Sequence, residues 1–350
     1  MKSKKGVLAA YVLAAAGLLF AIGGERLPVF FFGANAAQAG LFPAEQEMKA
    51  PRMLIPGGQA VGVALRTQGV MVIDVPRDGI ALRPGDVIVA VNGAAVSSAQ
   101  ALGVCIAQQD GSTASLSLMR GEKAMEVDVP VMQDEADGKR RLGVWVRDST
   151  AGVGTLTYID PQTGAYGALG HAIVDADTGR LMEAAQGAVM EADVVAVVRG
   201  ERGKAGELRG SFLKENRQIG TLEKNSRQGI FGTMSAGVEG ALYPQGLPAA
   251  DARQVHTGAA TILSTVDGTM QEYTIEITRF LPQNMRGTKD MSLRVTDERL
   301  LAVTGGIVQG MSGSPILQDG RIVGAVTHVL VDDPTRGYGI FIENMLEAAG

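Results

Sequence analysis

A serine flanked by glycines stands in GIVQGMSGSPI, residues 306–316, near the end of the 350-residue sequence. A serine that attacks a carbonyl carbon needs N–H donors for the oxyanion and an approach free of bulky side chains. The glycines beside Ser312 permit backbone angles that aim the N–H groups of Gly310 and Ser312 at one point. The segment could be only a tight turn, but its composition makes Ser312 a candidate nucleophile. Ser314 is a rival that Pro315 restricts to extended angles.

Three histidines could supply the base that such a serine needs. His171 lies in GALGHAIVDADTG, between a glycine-rich run and an acidic turn. His328 lies in the apolar run GAVTHVL, which predicts a strand, and we expect it to pack in the core or support the site. His256, in ARQVHTGAA, has no supporting pattern. His171 is therefore the preferred base.

The N-terminus carries Lys2, Lys4 and Lys5 ahead of an uncharged, mostly apolar stretch from Gly6 to Gly24. As a helix, such a stretch can span about 30 Å of hydrocarbon, with the lysines held in the cytoplasm. The pattern favours a transmembrane anchor over residues 1–24 and a linker over 25–46, with the catalytic part outside the cytoplasm. A signal peptide cleaved near the small residues of ANAAQA is the alternative.

Residues 47–134 predict a compact β-rich domain. Strand-like runs at Ala60–Arg66 and Val70–Val75 are broken at TQG, and LRPGDVIVAVNGAAV adds Pro-Gly and Asn-Gly turns. SSAQALGVCIAQQ has helical spacing with Ser98 as N-cap and Cys105 on the apolar face. The order, and above all GIALRPGDVIVAVNGAAV, resembles a PDZ domain.

The PDZ resemblance implies a peptide-binding site. In PDZ domains an extended peptide adds to a sheet edge beside the helix, and a glycine-containing loop holds its carboxylate. Here that loop would be the segment GGQAVG and the edge strand Gly62–Arg66. The implied binding residues are Gly57, Gly58, Gly62 and Val63. The loop lacks the usual Gly-Leu-Gly-Phe form, so the domain could instead be a spacer that only packs against its neighbour.

Residues 137–350 alternate short apolar runs with glycine and Asp-Pro turns, which predicts a barrel or a pair of barrels. The formal net charge of −5 and the lack of basic clusters argue against nucleic acid as a partner. His and Cys residues show no metal-binding spacing, and no phosphate-binding loop is present. We therefore expect neither a metal nor a cofactor.

The blocks GALGHAIVDADTG and GGIVQGMSGSPILQDGRIVGAVTHVLVDDPTRGYGIFIE, behind a PDZ domain and an N-terminal anchor, resemble the stage IV sporulation protein B family of signalling serine peptidases. The resemblance implies a chymotrypsin-like double β-barrel with Ser312 as nucleophile and His171 as base. It assigns Asp297, fifteen residues before Ser312, as the third triad member (312 − 297 = 15). That separation is short for such folds, so other carboxylates remain open as the orienting acid: Asp175, Asp177, Glu191 and Asp193.

The family further implies a membrane-anchored serine endopeptidase in the space between the forespore membranes. It would cleave itself in its N-terminal region and cleave a membrane-bound regulator of an intramembrane protease, so that a late sigma factor is activated. The alternative from a different class is a non-catalytic PDZ adaptor that binds a membrane partner.

Overall fold

The computed structural model describes residues 51–211, 217–235, 237, 240–281 and 287–350. These lie in one compact unit, Ala50–Gly350, and the predicted anchor, signal site and linker all lie outside the described residues. None of the helices in the described ranges is long and apolar enough to cross a membrane.

The first part of the unit contains nine strands and one helix. The strands are β1 Met53–Pro56, β2 Ala60–Asp74, β3 Asp86–Val91, β4 Ala94–Ala95, β5 Thr113–Arg120, β6 Lys123–Pro130, β7 Met132–Gln133, β8 Arg140–Arg141 and β9 Trp145–Ile159. The helix α1, Ala99–Ala107, begins where the Ser98 side chain accepts a hydrogen bond from the Ala101 N–H, as predicted. The predicted Asn-Gly turn joins β3 to β4, with positive φ at Asn92 and Gly93.

The PDZ-like part is a sheet in the order β2-β3-β5-β6, covered by α1. Its core includes Leu102 and Ile106 of the helix. The predicted apolar face was therefore misplaced in part, because Cys105 is only partly buried and packs at the edge of this core.

A first barrel follows. Its further strands are β10 Ala165–Ala168, β11 Ala184–Glu191, β12 Asp193–Val198, β13 Glu207–Ser211, β14 Gln218–Thr221, β15 Lys224–Ser226, β16 Gly229–Thr233 and β17 Leu247–Pro248. Pairing runs β9-β2-β11-β14 on one side and β9-β10-β16 on the other. A single bridge between Gly220 and Met234 joins the two ends, so six strands surround one apolar core.

A second barrel closes fully in the order β18-β19-β20-β23-β22-β21. Its elements are a 3-10 turn Ala252–Gln254, β18 Gly258–Ser264, β19 Gln271–Phe280, β20 Met291–Val295, α2 Glu298–Thr304, β21 Pro315–Gln318, β22 Arg321–Val329, β23 Arg336–Phe341 and α3 Ile342–Ala349. The run GAVTHVL, predicted as a strand, contributes residues 324–329 of β22.

The prediction of a mostly β chain with paired barrels is confirmed, but the predicted boundary at 134–137 does not separate the strands. Both β2 and β9 run from the PDZ-like sheet into the first barrel, where they pair with each other. The predicted break at TQG is a bulge within β2, between Arg66 and Met71. One continuous strand pair therefore connects the two parts.

Candidate active site

Ser312 lies on the loop between α2 and β21, and it lines a cavity of about 850 Å³ formed by both barrels. Gly313 has φ +99°, and a Cβ placed there would lie 2.0 Å from the carbonyl oxygen of Thr155. Only glycine fits this position, because the loop lies directly against β9. The rival Ser314 is fully buried and does not line the cavity, which leaves Ser312 as the accessible serine.

Threonine side chains and backbone of β9 hold the carbonyl groups of this loop. The Thr155 N–H donates to the carbonyl oxygen of Ser312 (2.9 Å). The Thr155 hydroxyl donates to the carbonyl oxygen of Gly310 (2.7 Å). The Thr157 hydroxyl donates to the Gly313 oxygen (2.8 Å). The N–H groups of Gly310 and Ser312 make no hydrogen bond with the residues that the structure describes. They are available to donate to an oxyanion.

His171 lies on the first barrel, just after β10. The two residues before it, Leu169 and Gly170, both have φ +68°. Such angles are unusual for leucine, and they turn the chain towards the second barrel. Nδ1 of His171 lies 2.8 Å from the Ala172 carbonyl oxygen. A carbonyl can only accept, so in the neutral ring Nδ1 carries the proton and Nε2 is free to act as base.

Burial lowers the pKa of His171 from its ordinary value, and the Ala172 hydrogen bond opposes this effect only partly. The imidazole is therefore neutral at physiological pH. A neutral imidazole is the form that a general base requires.

The same cavity brings Ser312, His171 and His328 together. The two imidazole centroids are 5.4 Å apart, with the rings tilted by 43°. The Ser312 hydroxyl donates to the Thr327 carbonyl oxygen (2.9 Å) rather than to His171. The serine and the predicted base thus share one cavity, while the hydrogen bond between them is not formed in this state.

His328, on β22, was expected in the core or in a supporting role, and it lines the cavity beside His171. Its Nδ1 is buried and has no hydrogen-bond partner within the described part of the chain. Burial is the main cause that lowers its pKa to about 4, and the neighbouring His171 and Lys289 side chains contribute less. The signal in the sequence was its place in an apolar strand shortly after Ser312. His256 lies elsewhere, exposed and paired with Asp319.

The expected triad bond between Asp297 and His171 is absent, which corrects that part of the sequence prediction. Asp297 is the N-cap of α2 and accepts hydrogen bonds from the N–H groups of Arg299, Leu300 and Thr274. Its carboxylate also pairs with the Arg299 guanidinium, and these bonds lower its pKa to about 2. Asp297 does not line the cavity. Asp297 lies close to Ser312 in the sequence because it begins α2, and the loop that carries Ser312 follows that helix.

The other candidate carboxylates do not orient His171 either. Asp175 is buried and bonds with Arg147 and Thr178, and Asp177 also pairs with Arg147. Across the described ranges, the Ala172 oxygen is the hydrogen-bond partner of the His171 ring, and no carboxylate reaches it.

The predicted PDZ peptide site is also corrected. The N–H groups of Gly57 and Gly58 donate to the carbonyls of Thr157 and Leu156. The strand Gly62–Arg66 pairs with β9 on one side and β11 on the other, so it has no free edge. Val63 is buried among the first-barrel core. The loop and strand that resemble the peptide-binding edge of a PDZ domain are part of the first barrel.

An open groove lies elsewhere on the PDZ-like part, between α1 and residues 140–146. The start of β9, Trp145–Arg147, pairs with the end of β2 and so extends the PDZ-like sheet. Just before it, the N–H groups of Leu142, Gly143 and Val144 make no hydrogen bond with described residues, and Gly143 has φ +73°. The sequence analysis missed this loop because it lies beyond the residues that resemble a PDZ domain.

Within the described residues, no group of three or more His, Cys, Asp or Glu side chains is arranged to hold a metal ion. The cavity chemistry is that of a serine, two imidazoles and backbone N–H groups.

Comparison with known proteins gives two family matches. The family described as SpoIVB peptidase S55 matches residues 138–346, and the PDZ domain family matches residues 58–131. No curated protein matches the chain.

Solved structures with similarity include the PDZ domain of the SdrC-like protein of Listeria monocytogenes. It is 26% identical to this chain, and the match covers 23% of this chain and 87% of the Listeria chain, with a TM-score of 0.21. The Rv3671c protease of M. tuberculosis in its active form is 14% identical, covers 57% and 75%, and has a TM-score of 0.34. Its inactive form is 15% identical, covers 57% and 84%, and has a TM-score of 0.33.

Proposed function

Because the chain belongs to the SpoIVB peptidase S55 family and is a serine peptidase with a PDZ domain, we propose that Ser312 is its nucleophile and His171 its general base. The single observation that carries this assignment is that both side chains line one cavity between the barrels. The arrangement, with the base on the first barrel and the nucleophile on the second, is chymotrypsin-like.

In the proposed mechanism the Ser312 hydroxyl first rotates away from the Thr327 oxygen and towards Nε2 of His171. The Ala172 carbonyl keeps the proton on Nδ1, so Nε2 accepts the serine proton as Oγ attacks the peptide carbonyl. The N–H groups of Gly310 and Ser312 bind the oxyanion. His171 then donates its proton to the leaving amine, and water hydrolyses the acyl-enzyme by the same route.

In the structure the Ser312 hydroxyl is in a resting geometry, which must change before the serine can react. Ser312 is held by the Thr327 carbonyl, which is an acceptor that cannot remove the hydroxyl proton. Substrate in the cavity would compete for that carbonyl through its own N–H groups. We propose that an extended peptide, by donating one of its N–H groups to the Thr327 carbonyl on β22, releases the Ser312 hydroxyl for catalysis.

The biological role that we propose is signalling in sporulation. The enzyme would be anchored by its N-terminal helix, with the peptidase outside the cytoplasm in the space between the forespore membranes. It would cleave itself and a membrane-bound regulator of an intramembrane protease, which activates a late sigma factor. Membership of the family and the apolar segment Gly6–Gly24 support this proposal.

We also propose that the PDZ-like part binds an extended peptide, from this chain or from the membrane partner, in the groove beside α1. The N–H groups of Leu142, Gly143 and Val144 make no hydrogen bond with described residues, and the positive φ of Gly143 in this loop suits the binding of a carboxylate. The adjacent strand edge and the groove wall of α1 suit the residues before it.

A matched pair of variants tests the groove. Gly103 of α1 lines it, and a side chain at this position would meet no described atom within 4 Å of its Cβ. Gly103→Glu should therefore fold and weaken peptide binding, whereas Val104→Glu, one residue away and outside the groove, should not. Equal binding of a peptide-display library by both variants would reject the groove as the site.

A fluorophosphonate probe tests the catalytic proposal, because it labels only an activated serine. We expect labelling at Ser312 in the wild type and none in Ser312→Ala or His171→Ala. The alternative, a non-catalytic adaptor, predicts no labelling and no peptide cleavage by the wild type. Labelling that survives His171→Ala and is lost in His328→Ala would reassign the base.

A further inference from the structure

The catalytic cavity has an uneven distribution of charge. Among its described lining residues, Arg227 is the one with a permanent charge, and neither aspartate nor glutamate is present. Arg227 lies in the turn between β15 and β16, on the same barrel as His171. Its side chain is exposed and forms no hydrogen bond or ion pair with described residues.

A second cation lies next to the opposite wall. Lys289 stands over the Tyr338 ring at 4.9 Å, and its charge helps to lower the pKa of His328. Lys289 likewise forms no ion pair within the described residues. The cavity that contains both imidazoles is therefore lined by Arg227 and flanked by Lys289, and no carboxylate is among its described lining residues.

The carboxylates of Asp175, Asp177 and Asp290 are already engaged with other protein groups. Asp175 and Asp177 pair with Arg147, and Asp290 is buried with the Phe341 N–H and Asn344 as partners. Positive charge that no carboxylate of the described residues pairs with favours an anionic group on a molecule that enters the cavity.

We propose that the peptide cleaved at this site carries an acidic side chain close to its scissile bond. Its carboxylate pairs with the Arg227 guanidinium and is also attracted by the positive charge of Lys289. This inference rests on the proposed function, since it assumes that the cavity binds the substrate of Ser312. An aspartate or glutamate carboxylate can accept two hydrogen bonds from the planar guanidinium, which lysine could not match in geometry.

The expected size of the preference follows from the exposure of Arg227. An exposed ion pair contributes little, but a bound peptide would shield this pair from water, and hydrogen bonds to charged groups are then stronger. We expect a preference of about tenfold in kcat/KM for glutamate over glutamine at the recognised position. Because the attraction is electrostatic, the preference should decrease as salt is raised.

The test uses the full chain and a mixture of internally quenched peptides to locate cleaved sequences. Each position near the cleaved bond is then varied as glutamate, glutamine and lysine. The wild type should cleave the glutamate peptide fastest at one position and the lysine peptide slowest. Arg227→Gln should remove that order, and Arg227→Glu should reverse it. Arg202→Gln, at an exposed arginine outside the cavity, should keep the wild-type order.

The two proposals fail in different ways. If fluorophosphonate labels Ser312 and peptides are cleaved, but glutamate, glutamine and lysine are equivalent, the inference about acidic substrates is wrong and the catalytic assignment stands. The same conclusion follows if a glutamate preference is unchanged in Arg227→Glu. If the wild type neither reacts with the probe nor cleaves any peptide, the proposed function itself is wrong.

Discussion

Nδ1 of His171 lies 2.8 Å from the carbonyl oxygen of Ala172, the next residue in the chain. A backbone acceptor, rather than a carboxylate, therefore fixes the tautomer of this imidazole. The finding separates the base from Asp297, which the family resemblance places in the triad and which the structure places at the start of α2.

The first prediction concerns Asp297. Asp297→Asn keeps the capping oxygen and loses the charge, so turnover should remain within about tenfold of wild type, whereas loss of a triad acid costs about 10⁴-fold. Asp297→Ala removes the cap as well and should lower the free energy of unfolding by about 1–2 kcal/mol. Steady-state kinetics and urea unfolding measure the two effects. A collapse of turnover in Asp297→Asn would restore the triad assignment.

The pH dependence of this carboxylate provides a second measurement. Its folded pKa of about 2 lies below the ordinary value of 3.8, so its contribution to stability is complete above the ordinary value. That contribution decreases as pH falls towards the folded pKa, because the unfolded chain then binds the proton more readily. Between pH 5 and pH 2, the stability difference between wild type and Asp297→Asn should therefore shrink (both pH limits are approximate).

The second prediction concerns the acid limb of activity. Burial disfavours the imidazolium form and lowers the pKa of His171. The neutral base therefore persists to lower pH than an exposed histidine would allow. In a profile of kcat/KM against pH, the acid midpoint should lie below the ordinary histidine value of 6.5. A midpoint above that value would mean that a carboxylate stabilises the charged ring.

The third prediction uses two glycines. Gly313→Ala places a Cβ 2.0 Å from the Thr155 oxygen at a residue with φ +99°, so it should displace the nucleophile loop and abolish probe labelling of Ser312. Gly320→Ala is the matched control, with φ +70° and no described atom within 4 Å of the added Cβ. It should cost only about 1–2 kcal/mol of backbone strain and keep activity. Equal labelling of both variants would show that the loop is not held against β9.

The fourth prediction concerns Thr155, whose hydroxyl fixes the Gly310 carbonyl at 2.7 Å. Thr155→Val preserves the shape and the backbone bond to Ser312 but leaves that carbonyl unsatisfied. We expect kcat to fall about tenfold with little change in KM. The loss is moderate because Thr155 positions the loop that carries the oxyanion donors and does not contact the oxyanion itself. Thr261→Val, on a second-barrel strand, loses a hydroxyl bond to Glu272 instead and should retain kcat. A change in KM alone would assign Thr155 to substrate binding.

The fifth prediction concerns His328 and acid stability. Its pKa of about 4 is below the ordinary value of 6.5, so between these values the unfolded chain binds more protons than the folded one. Stability should fall as pH is lowered through this window, and His328→Asn should reduce the slope by up to about one proton per molecule. His256→Asn is the control with the opposite sign, because the pKa of His256 is raised. An unchanged slope in His328→Asn would contradict the burial of its ring.

The sequence by itself determined the local features whose physical cause is local. Glycine spacing identified the loop at Gly310 and Ser312, Asn92-Gly93 predicted its turn, and Ser98 predicted the start of α1. Short apolar runs separated by glycine and Asp-Pro turns predicted a β-rich domain with barrels, and the run GAVTHVL predicted the strand that carries His328. These follow from backbone angles and side-chain periodicity, which depend on neighbours in the chain.

The tertiary structure decided which residues meet. The family resemblance assigned Asp297 to the triad, and only the fold shows that its carboxylate pairs with Arg299 while the His171 ring bonds to the Ala172 carbonyl. The PDZ resemblance implied an edge strand at Gly62–Arg66, but whether a strand is an edge depends on which strands pair with it, and β9 and β11 pair on both of its sides. Pairing between residues far apart in sequence is set by packing of the whole core, and the pattern of a single strand does not contain it.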